Sequence, residues 1–438
     1  MVQEPLNNSN YLSAKIFFME RWTGIIGIFL ILGIAYLFSN NKKKINYRLV
    51  LSGLALQTLI AISIMKVKWM QIFFEQLGKG MQKIEQFAKS GVNFVYGGIA
   101  AVSGSDVVDY RTPHVFVFAF NVTATIILVT TLVAILYHLG IMQKIISTIA
   151  WGMNKVMHVS GAEALSNVAS AFVGQVEAQV MIRPYLPSMT KSELLASMSG
   201  SLACIAGGIL IVYANMGAQA GMNLAPKLIM ASLMAAPGAL VISKIIFPET
   251  ETPVTMGKVT LNIKSEYSNL IDAITHGAGD GFKIAMNVIA MLIGFIALIT
   301  MTDWLLLKIG QLFHPELNLS LNWLFAKLFY PMAWAMGTPS EDIYPVSTLM
   351  GQKHTINEFV AFSNLTSHKV PIVTEKGLTI VSIAICGFAN FSSVGMQIGG
   401  IGVLVPERRK DLAELGLKAL LSGTLASYLS ATIAGILM

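Results

Sequence analysis

The stretch Ser170-Ala-Phe-Val-Gly-Gln-Val-Glu-Ala-Gln-Val-Met-Ile-Arg-Pro-Tyr-Leu186 decides the fold of this chain. It is apolar enough to enter a bilayer, yet it contains Gln175 and Glu177. A spanning helix needs about 20 predominantly apolar residues, and this stretch is too short and too polar to be one. A carboxylate at membrane depth costs about 2.5–3.5 kcal/mol, so it normally faces a protein-lined cavity and has a function. We predict that residues 170–186 form a re-entrant hairpin.

The composition around this stretch is that of an integral membrane protein. Of 438 residues, 54% are hydrophobic and 12% are charged, whereas soluble domains average about 25% charged residues. The net charge of +7 is explained by Lys and Arg in cytoplasmic loops, so we expect no nucleic-acid partner. The two cysteines lie in apolar runs and predict no disulfide framework.

Hydropathy predicts an all-α polytopic membrane protein with about eight transmembrane helices, two re-entrant helical hairpins and interfacial helices. We expect N-terminal scaffold spans and an interfacial helix in residues 1–140, a first repeat with hairpin 1 in 141–265, and a second repeat with hairpin 2 in 266–438. The basic clusters at residues 42–44 and 408–410 are both expected on the cytoplasmic side. The predicted spans are residues 23–39, 49–65, 115–139, 194–216, 228–247, 284–302, 378–405 and 416–438, and the amphipathic segments are 69–88, 142–158 and 267–283; residues 90–112 are predicted to be a loop and 248–265 a linker.

The second half of the chain echoes the first, which predicts an inverted internal repeat. A polar hairpin around Glu177 precedes a run interrupted by Gly and Ser at 199–208, and a polar hairpin around Glu358 precedes a similar run at 386–395. Paired interrupted segments in corresponding positions indicate the binding site of a secondary transporter. For either run alone, close packing between helices remains the alternative explanation of its small residues.

Polar side chains in these segments are the candidate ligands for a small polar solute. Gln175 and Glu177 flank a turn and offer both donors and acceptors. Glu358 is the carboxylate of the second hairpin. Asn390 and Ser393 lie three residues apart on one helical face, a spacing that can contact two vicinal hydroxyls.

Several motifs resemble the concentrative nucleoside transporter family, in order from about residue 160 to the C-terminus. They are Gly174-Gln-Val-Glu-Ala178 with Ile182-Arg-Pro-Tyr-Leu186, then Asn357-Glu-Phe-Val-Ala361, then Cys386-Gly-Phe-Ala-Asn390 followed by Ser392-Ser393. The resemblance implies a homotrimer, with a scaffold and a mobile transport domain in each protomer. It implies a cation-coupled (H+ or Na+) symporter, not an enzyme, which imports nucleosides (the uridine, cytidine, adenosine class) across the cell inner membrane by alternating access without a cofactor.

The resemblance also implies a role for each site residue. Glu358, Asn390 and Ser393 would hold the ribose. The nucleobase would contact Gln175, Val176 and Glu177 of hairpin 1. The apolar side chains of Ile209 and Phe388 would line the pocket beside the ring. Val176 stands where the family often has Thr, which removes a hydroxyl near the base.

The coupling cation stays open because two side chains differ from the family's sodium pattern. Ser170 replaces an Asn, and Cys204 replaces a hydroxyl side chain. Sodium is a hard cation that prefers oxygen, and a thiol is a poor ligand. Main-chain carbonyls near Val173 and Ile205 remain as candidate ligands, and a proton on a buried carboxylate is the alternative.

One further motif suggests a different class of protein. Gly277-Ala-Gly-Asp280 fits the Gly-x-Gly-Asp pattern of intramembrane aspartyl proteases. That chemistry needs a second Asp facing the first within the membrane. Asp303 and Asp109 are predicted at a span edge or in a loop, so we favour the transporter. The seven histidines are scattered and predict no metal site.

Overall fold

The computed structural model describes residues 8–96, 118–257, 267–314 and 318–438, and this part of the chain is built of α-helices without a β-strand. The N-terminal helices are α1 (Asn8–Leu37), α2 (Tyr47–Lys66), α3 (Lys68–Tyr96), α4 (Phe118–His138) and α5 (Ile141–Met157). They are followed by α6 (Gly161–Ser170), α7 (Glu177–Met181), α8 (Lys191–Ala203), α9 (Gly207–Gln219) and α10 (Ala225–Ile246). The last group is α11 (Leu270–Phe313), α12 (Leu321–Ala335), α13 (Ile343–Thr355), α14 (Glu358–Thr366), α15 (Glu375–Ala384), α16 (Phe391–Leu404) and α17 (Arg409–Leu437).

One order of elements occurs twice in the chain. Hairpin 1 (α6 and α7) precedes the first broken helix (α8 and α9) and then α10; hairpin 2 (α13 and α14) precedes the second broken helix (α15 and α16) and then α17. Both predicted helix breaks and both predicted helix pairs are therefore present, while the re-entrant course of these pairs in a membrane stays a prediction. Helices α10 and α17 pack against each other, so the two copies share one core.

Several helix starts are fixed by their own sequence. Ser160 and Glu163 form a capping box at the start of α6, and Thr190 and Glu193 form another at the start of α8. Such caps satisfy backbone N–H groups that have no partner inside the helix. The Ser160 hydroxyl also donates to Glu193 at 2.5 Å, so the two caps hold hairpin 1 beside the first broken helix.

The chain is an all-α multi-pass membrane protein. In the described ranges, five helical segments are long and apolar enough to cross a membrane, or six if α4 and α5, bent by 78°, form one span. The count of five or six rests on helix length and composition alone. The predicted total of eight transmembrane helices therefore stays a prediction. Helix α10 is buried along nearly its whole length, as expected for a helix at the centre of a bundle.

Two predictions about helix boundaries are wrong. Residues 267–283 and 284–302 are not separate helices, because α11 runs unbroken for 44 residues. Its N-terminal part packs tightly on α4: a Cβ at Gly277 would lie 2.8 Å from the Ala134 Cβ, and one at Gly281 would lie 2.7 Å from the Ile127 Cα. Residues 90–96 belong to α3 rather than to a loop. The rest of that predicted loop, residues 115–117 and 258–265 lie outside the described residues.

Both basic clusters lie at the same end of the bundle. The Asn40 N–H donates to the Ile246 carbonyl at 2.9 Å, and Lys418 donates to the Asn40 side chain at 2.9 Å. Arg408 donates to the Met189 carbonyl at 2.7 Å, just after hairpin 1. The turn at 42–44, the exit of hairpin 1 and the cluster at 408–410 are thus neighbours, in agreement with the prediction of a common side.

Candidate functional site

The breaks of the two broken helices touch each other. The Phe388 N–H donates to the Cys204 carbonyl at 3.3 Å. A Cβ at Gly387 would lie only 2.3 Å from the Ala203 carbonyl oxygen, so only glycine permits this approach. Breaking a helix at membrane depth frees backbone groups that must find partners. Here each break supplies partners for the other, and the ends of four half-helices converge on one region.

Glu358 is the centre of a polar cluster beside the second break. Its side chain is buried and accepts a hydrogen bond from the Asn390 amide at 2.9 Å and one from the Tyr213 hydroxyl at 3.4 Å. The Asn390 side-chain oxygen in turn accepts from the Ser393 N–H at 2.8 Å, which caps α16. The structure therefore brings together Glu358, Asn390 and Ser393, and half-buried Phe388 lies in the same break.

Two members of this region were missed by reasoning from sequence. Tyr213, on α9, stacks on Phe362 of hairpin 2 with ring centroids 4.3 Å apart, and nothing local distinguishes it from other apolar residues of its helix. Lys353, on α13, is fully buried and donates to the Ala384 carbonyl at 3.1 Å. A charge inside a predicted intramembrane segment was a usable signal for Lys353.

Hairpin 1 is held by a neutral network around Gln179. The Gln179 amide donates to Ser166 at 3.1 Å and to Ser201 at 2.9 Å, and its oxygen accepts from Ser197 at 2.7 Å. All of these side chains are buried. Paired polar groups of this kind fix one arrangement of a buried interface, because an unpaired member would be costly. The network attaches α7 to α6 and α8.

The side chains predicted for a cation are occupied by other contacts. The Ser170 hydroxyl donates to the Ser166 carbonyl at 2.8 Å and shares a 2.8 Å hydrogen bond with Ser201. The Cys204 thiol lies 3.9 Å from the Asn167 carbonyl oxygen, and Ile205 is buried. A thiol fits poorly to a hard cation that prefers oxygen ligands, and the Ser170 hydroxyl could reach a cation only through the lone pairs that its hydrogen bonds leave free.

A cavity of about 510 Å³ separates hairpin 1 from α4 and α11. The lining includes Val173, Glu177 and Ile209 on one side and Asp280 and Lys283 on the other. Glu177 is accessible within this cavity. A mostly apolar space with a few polar groups is the usual character of a small-molecule site.

The predicted substrate residues thus fall into two groups. Glu177 and Ile209 line the cavity, while Glu358, Asn390 and Ser393 form the cluster at the second break; none of the hydrogen bonds among described residues joins the two groups. Two further residues lie at the tip of hairpin 1. The Gln175 side-chain oxygen is buried without a described partner, and Val176 packs against Gly400, where a Cβ would lie 2.8 Å from a Val176 methyl.

The Gly-x-Gly-Asp motif has a structural explanation. Gly277 lies at the contact between α11 and α4. The Asp280 carboxylate pairs with Lys283 at 3.2 Å. A helix-packing glycine followed by an ion pair at the wall of the cavity accounts for both residues without proteolytic chemistry.

Two hairpins, two broken helices that cross at their breaks and a buried polar cluster beside them define a secondary transporter. Comparisons with known proteins identify the family. Residues 227–435 match the family described as "Na+ dependent nucleoside transporter C-terminus", residues 26–99 match "Na+ dependent nucleoside transporter N-terminus", and residues 119–220 match "Nucleoside recognition".

Individual relatives agree over nearly the whole chain. The nucleoside permease NupC of Helicobacter pylori is 36% identical over 94% of this chain and 96% of its own length. The sodium/nucleoside cotransporter 1 of Rattus norvegicus is 33% identical over 95% of this chain and 64% of its own length. The solved structure of CNTnw in an inward-facing substrate-bound state is 35% identical, covers 95% of this chain and 98% of its own, and superimposes with a TM-score of 0.87.

The chain belongs to the concentrative nucleoside transporter family. This is a family of nucleoside transporters and not of enzymes, so the protease alternative is dropped.

Proposed function

We propose that the protein is a symporter that imports nucleosides of the uridine, cytidine and adenosine class across the cell inner membrane. The observation that carries this proposal is the cluster of Glu358, Asn390 and Ser393 beside the crossing of the broken helices. A carboxylate and an amide side by side match the two adjacent hydroxyls of a ribose, since the carboxylate can accept a hydrogen bond from one hydroxyl and the amide can donate one to the other.

In the proposed binding mode, hairpin 1 recognises the base and hairpin 2 holds the sugar. Glu358, Asn390 and Ser393 bind the ribose, and Phe388 lies beside the ring. Gln175, Val176, Glu177 and Ile209 face the nucleobase. The buried oxygen of Gln175 supports this assignment: an unpaired buried acceptor costs about 1–3 kcal/mol, and a donor on the base would offset that cost.

We propose that transport follows alternating access in a homotrimer. The hairpins and broken helices move as one transport domain against a scaffold that contains α4 and α11. The cavity between hairpin 1 and these two helices supports a boundary at this place, because it leaves a space of about 510 Å³ between them. Movement along such a boundary exposes a bound solute to the other side of the membrane while its contacts are kept.

For the coupling cation, we propose a proton. The Ser170 hydroxyl already donates to the Ser166 carbonyl and shares a hydrogen bond with Ser201. Cys204 offers a thiol where an oxygen is needed. The description of the matched family as Na+ dependent and the name of the rat cotransporter favour sodium instead. The test of the function therefore has to separate the two ions.

Purified protein in proteoliposomes provides this test. We expect [³H]uridine uptake that is driven by an inward proton gradient and persists when sodium is replaced by choline. Uptake that requires sodium at fixed pH, and ignores a pH gradient, would replace the proton by sodium. An absence of gradient-driven uptake for uridine, cytidine and adenosine alike would refute the transport proposal itself.

A further inference from the structure

Lys353 is a fully buried lysine for which nucleoside binding by Glu358 gives no immediate reason. It lies in the last turn of α13, on the limb of hairpin 2 opposite Glu358. Its ammonium group donates to the Ala384 carbonyl at 3.1 Å and lies 5.9 Å from the centre of the Tyr428 ring. Removing an ammonium from water costs several kcal/mol unless other charges and dipoles compensate. Groups that offset part of this cost should therefore lie around Lys353.

The first compensating group is a helix end. Ala384 is the last residue of α15, so Lys353 lies where the unpaired carbonyls of a half-helix concentrate negative charge. Across the break, α16 begins with its cap Asn390, which donates to Glu358. Hairpin 2 thus places a cation at the C-terminal end of one half-helix and a carboxylate beside the N-terminal end of the next.

The second compensating group is Glu358 itself. Lys353 and Glu358 lie on the two limbs of hairpin 2 and contact the two sides of one break, Lys353 through Ala384 and Glu358 through Asn390. In the protein interior, charges act over longer distances than in water. Glu358 also interacts with Tyr213 and Asn390, which are neutral donors. The position of Lys353 across the break therefore makes it a candidate to balance the charge of this carboxylate.

The corresponding break in the first repeat is completed by neutral groups. At the start of α9, the Gly207 N–H donates to the Phe172 carbonyl at 3.1 Å. At the end of α8, the Cys204 carbonyl accepts from the backbone of Phe388. Backbone groups are thus sufficient to complete such a break, and crossing the helices does not require a charge. A buried lysine in only one of two similar arrangements points to a role in the site of that repeat.

We propose that Lys353 is a positioning residue for substrate recognition: it balances the charge of Glu358 and holds hairpin 2 against α15, so that Glu358 presents a charged acceptor to the ribose hydroxyls. This inference rests on the proposed function. Lys353 acts through Glu358 and does not touch the substrate. Its removal should therefore weaken the recognition of the sugar more than that of the base.

The test compares the binding of uridine with that of 2′-deoxyuridine and 3′-deoxyuridine to the purified full-length protein. The main variant is Lys353→Gln, which keeps a donor for the Ala384 carbonyl but removes the charge. When a ribose hydroxyl bonds to a charged group, its loss lowers the affinity by about tenfold or more. When it bonds to a neutral group, its loss lowers the affinity by about two- to tenfold. We expect the wild-type preference for uridine over at least one deoxy analogue to fall into the lower range in K353Q. Lys410→Gln, the same substitution at an exposed lysine, serves as the matched control and should keep the wild-type preference.

An unchanged preference in K353Q, with or without a general loss of affinity, would overturn the inference and leave the proposed function standing. A wild-type protein that binds uridine and both analogues equally would refute the ribose-binding role of Glu358, and the inference would fall with it. If K353Q does not accumulate in the membrane, the double variant K353Q/E358Q decides. Removing both charges should restore accumulation, and failure to do so would show that Lys353 does not balance Glu358.

Discussion

Replacing Glu358 with Gln changes charge with little change in shape. The carboxylate accepts hydrogen bonds from Asn390 and Tyr213. A glutamine can keep both contacts, because its oxygen accepts from the Asn390 amide while its own amide donates to the Tyr213 oxygen. The fold around hairpin 2 should therefore survive in E358Q, and the main loss is the charged acceptor.

The size of the effect follows from the kind of hydrogen bond that is lost. A hydrogen bond to a charged group contributes about 1.5–3 kcal/mol, which corresponds to a factor of about 10–150 in affinity. The balancing cation Lys353 is also left alone. Breaking a buried ion pair in direct contact costs about 3–5 kcal/mol. Because Lys353 and Glu358 interact at longer range, we expect a smaller loss of stability and a trimer that stays intact.

The assay is initial-rate [³H]uridine uptake into proteoliposomes at a concentration below KM, with size-exclusion chromatography to verify the assembly. We expect uptake by E358Q to fall by about 10- to 150-fold. Glu414→Gln is the matched control, since Glu414 pairs with Lys191 on the exposed surface. Uptake by E358Q within twofold of the wild-type rate would remove Glu358 from the substrate site.

Three further predictions concern stability and are measured as thermal unfolding of the detergent-solubilised protein. Gly387→Ala should destabilise by about 1–3 kcal/mol, because its Cβ would lie 2.3 Å from a carbonyl oxygen of α8; Gly395→Ala, which meets no atom within 4 Å, should be harmless, and equal effects would contradict the packing argument. Lys244→Met should cost about 3–5 kcal/mol, because it leaves the buried carboxylate that Lys244 contacts at 2.8 Å unpaired; an unchanged melting temperature would contradict this. For Asp411, burial raises the pKa, but hydrogen bonds from a neighbouring arginine and lysine outweigh it and lower the pKa below 3.8. Asp411→Asn should therefore lower stability at neutral pH, and the difference should vanish as the pH falls through the lowered pKa; a difference that grows in acid would refute this reasoning.

Local signals in the sequence were sufficient for the hairpins and the breaks. Gly174 has φ of +119°, a backbone conformation that favours glycine, and it marks the turn of hairpin 1. Asn390 caps α16, which is a common role for Asn. The proximity of Asn390 to Glu358 followed from the family resemblance, which assigns both residues to the ribose. The roles of these residues toward a nucleoside remain proposals.

Contacts between distant segments could not be predicted in the same way. Tyr213 reaches Glu358 across 145 positions of the chain, and no local pattern selects this tyrosine. Gln179 lies inside the stretch that decided the fold, but its three serine partners come from two other helices. The length of α11 also depends on a contact between distant segments. Its amphipathic half packs on α4 and does not lie at the membrane surface. The change in hydropathy along the sequence therefore does not mark a helix end.

The crossing of the two broken helices has a consequence for biosynthesis. The Cys204 carbonyl accepts a hydrogen bond from the Phe388 N–H. When the first repeat has been synthesised, this carbonyl still lacks its partner, because residue 388 is made later. A chain that ends after the first repeat would expose that group at membrane depth, where nothing else replaces the missing donor. The two repeats, although similar in plan, therefore complete each other at this crossing.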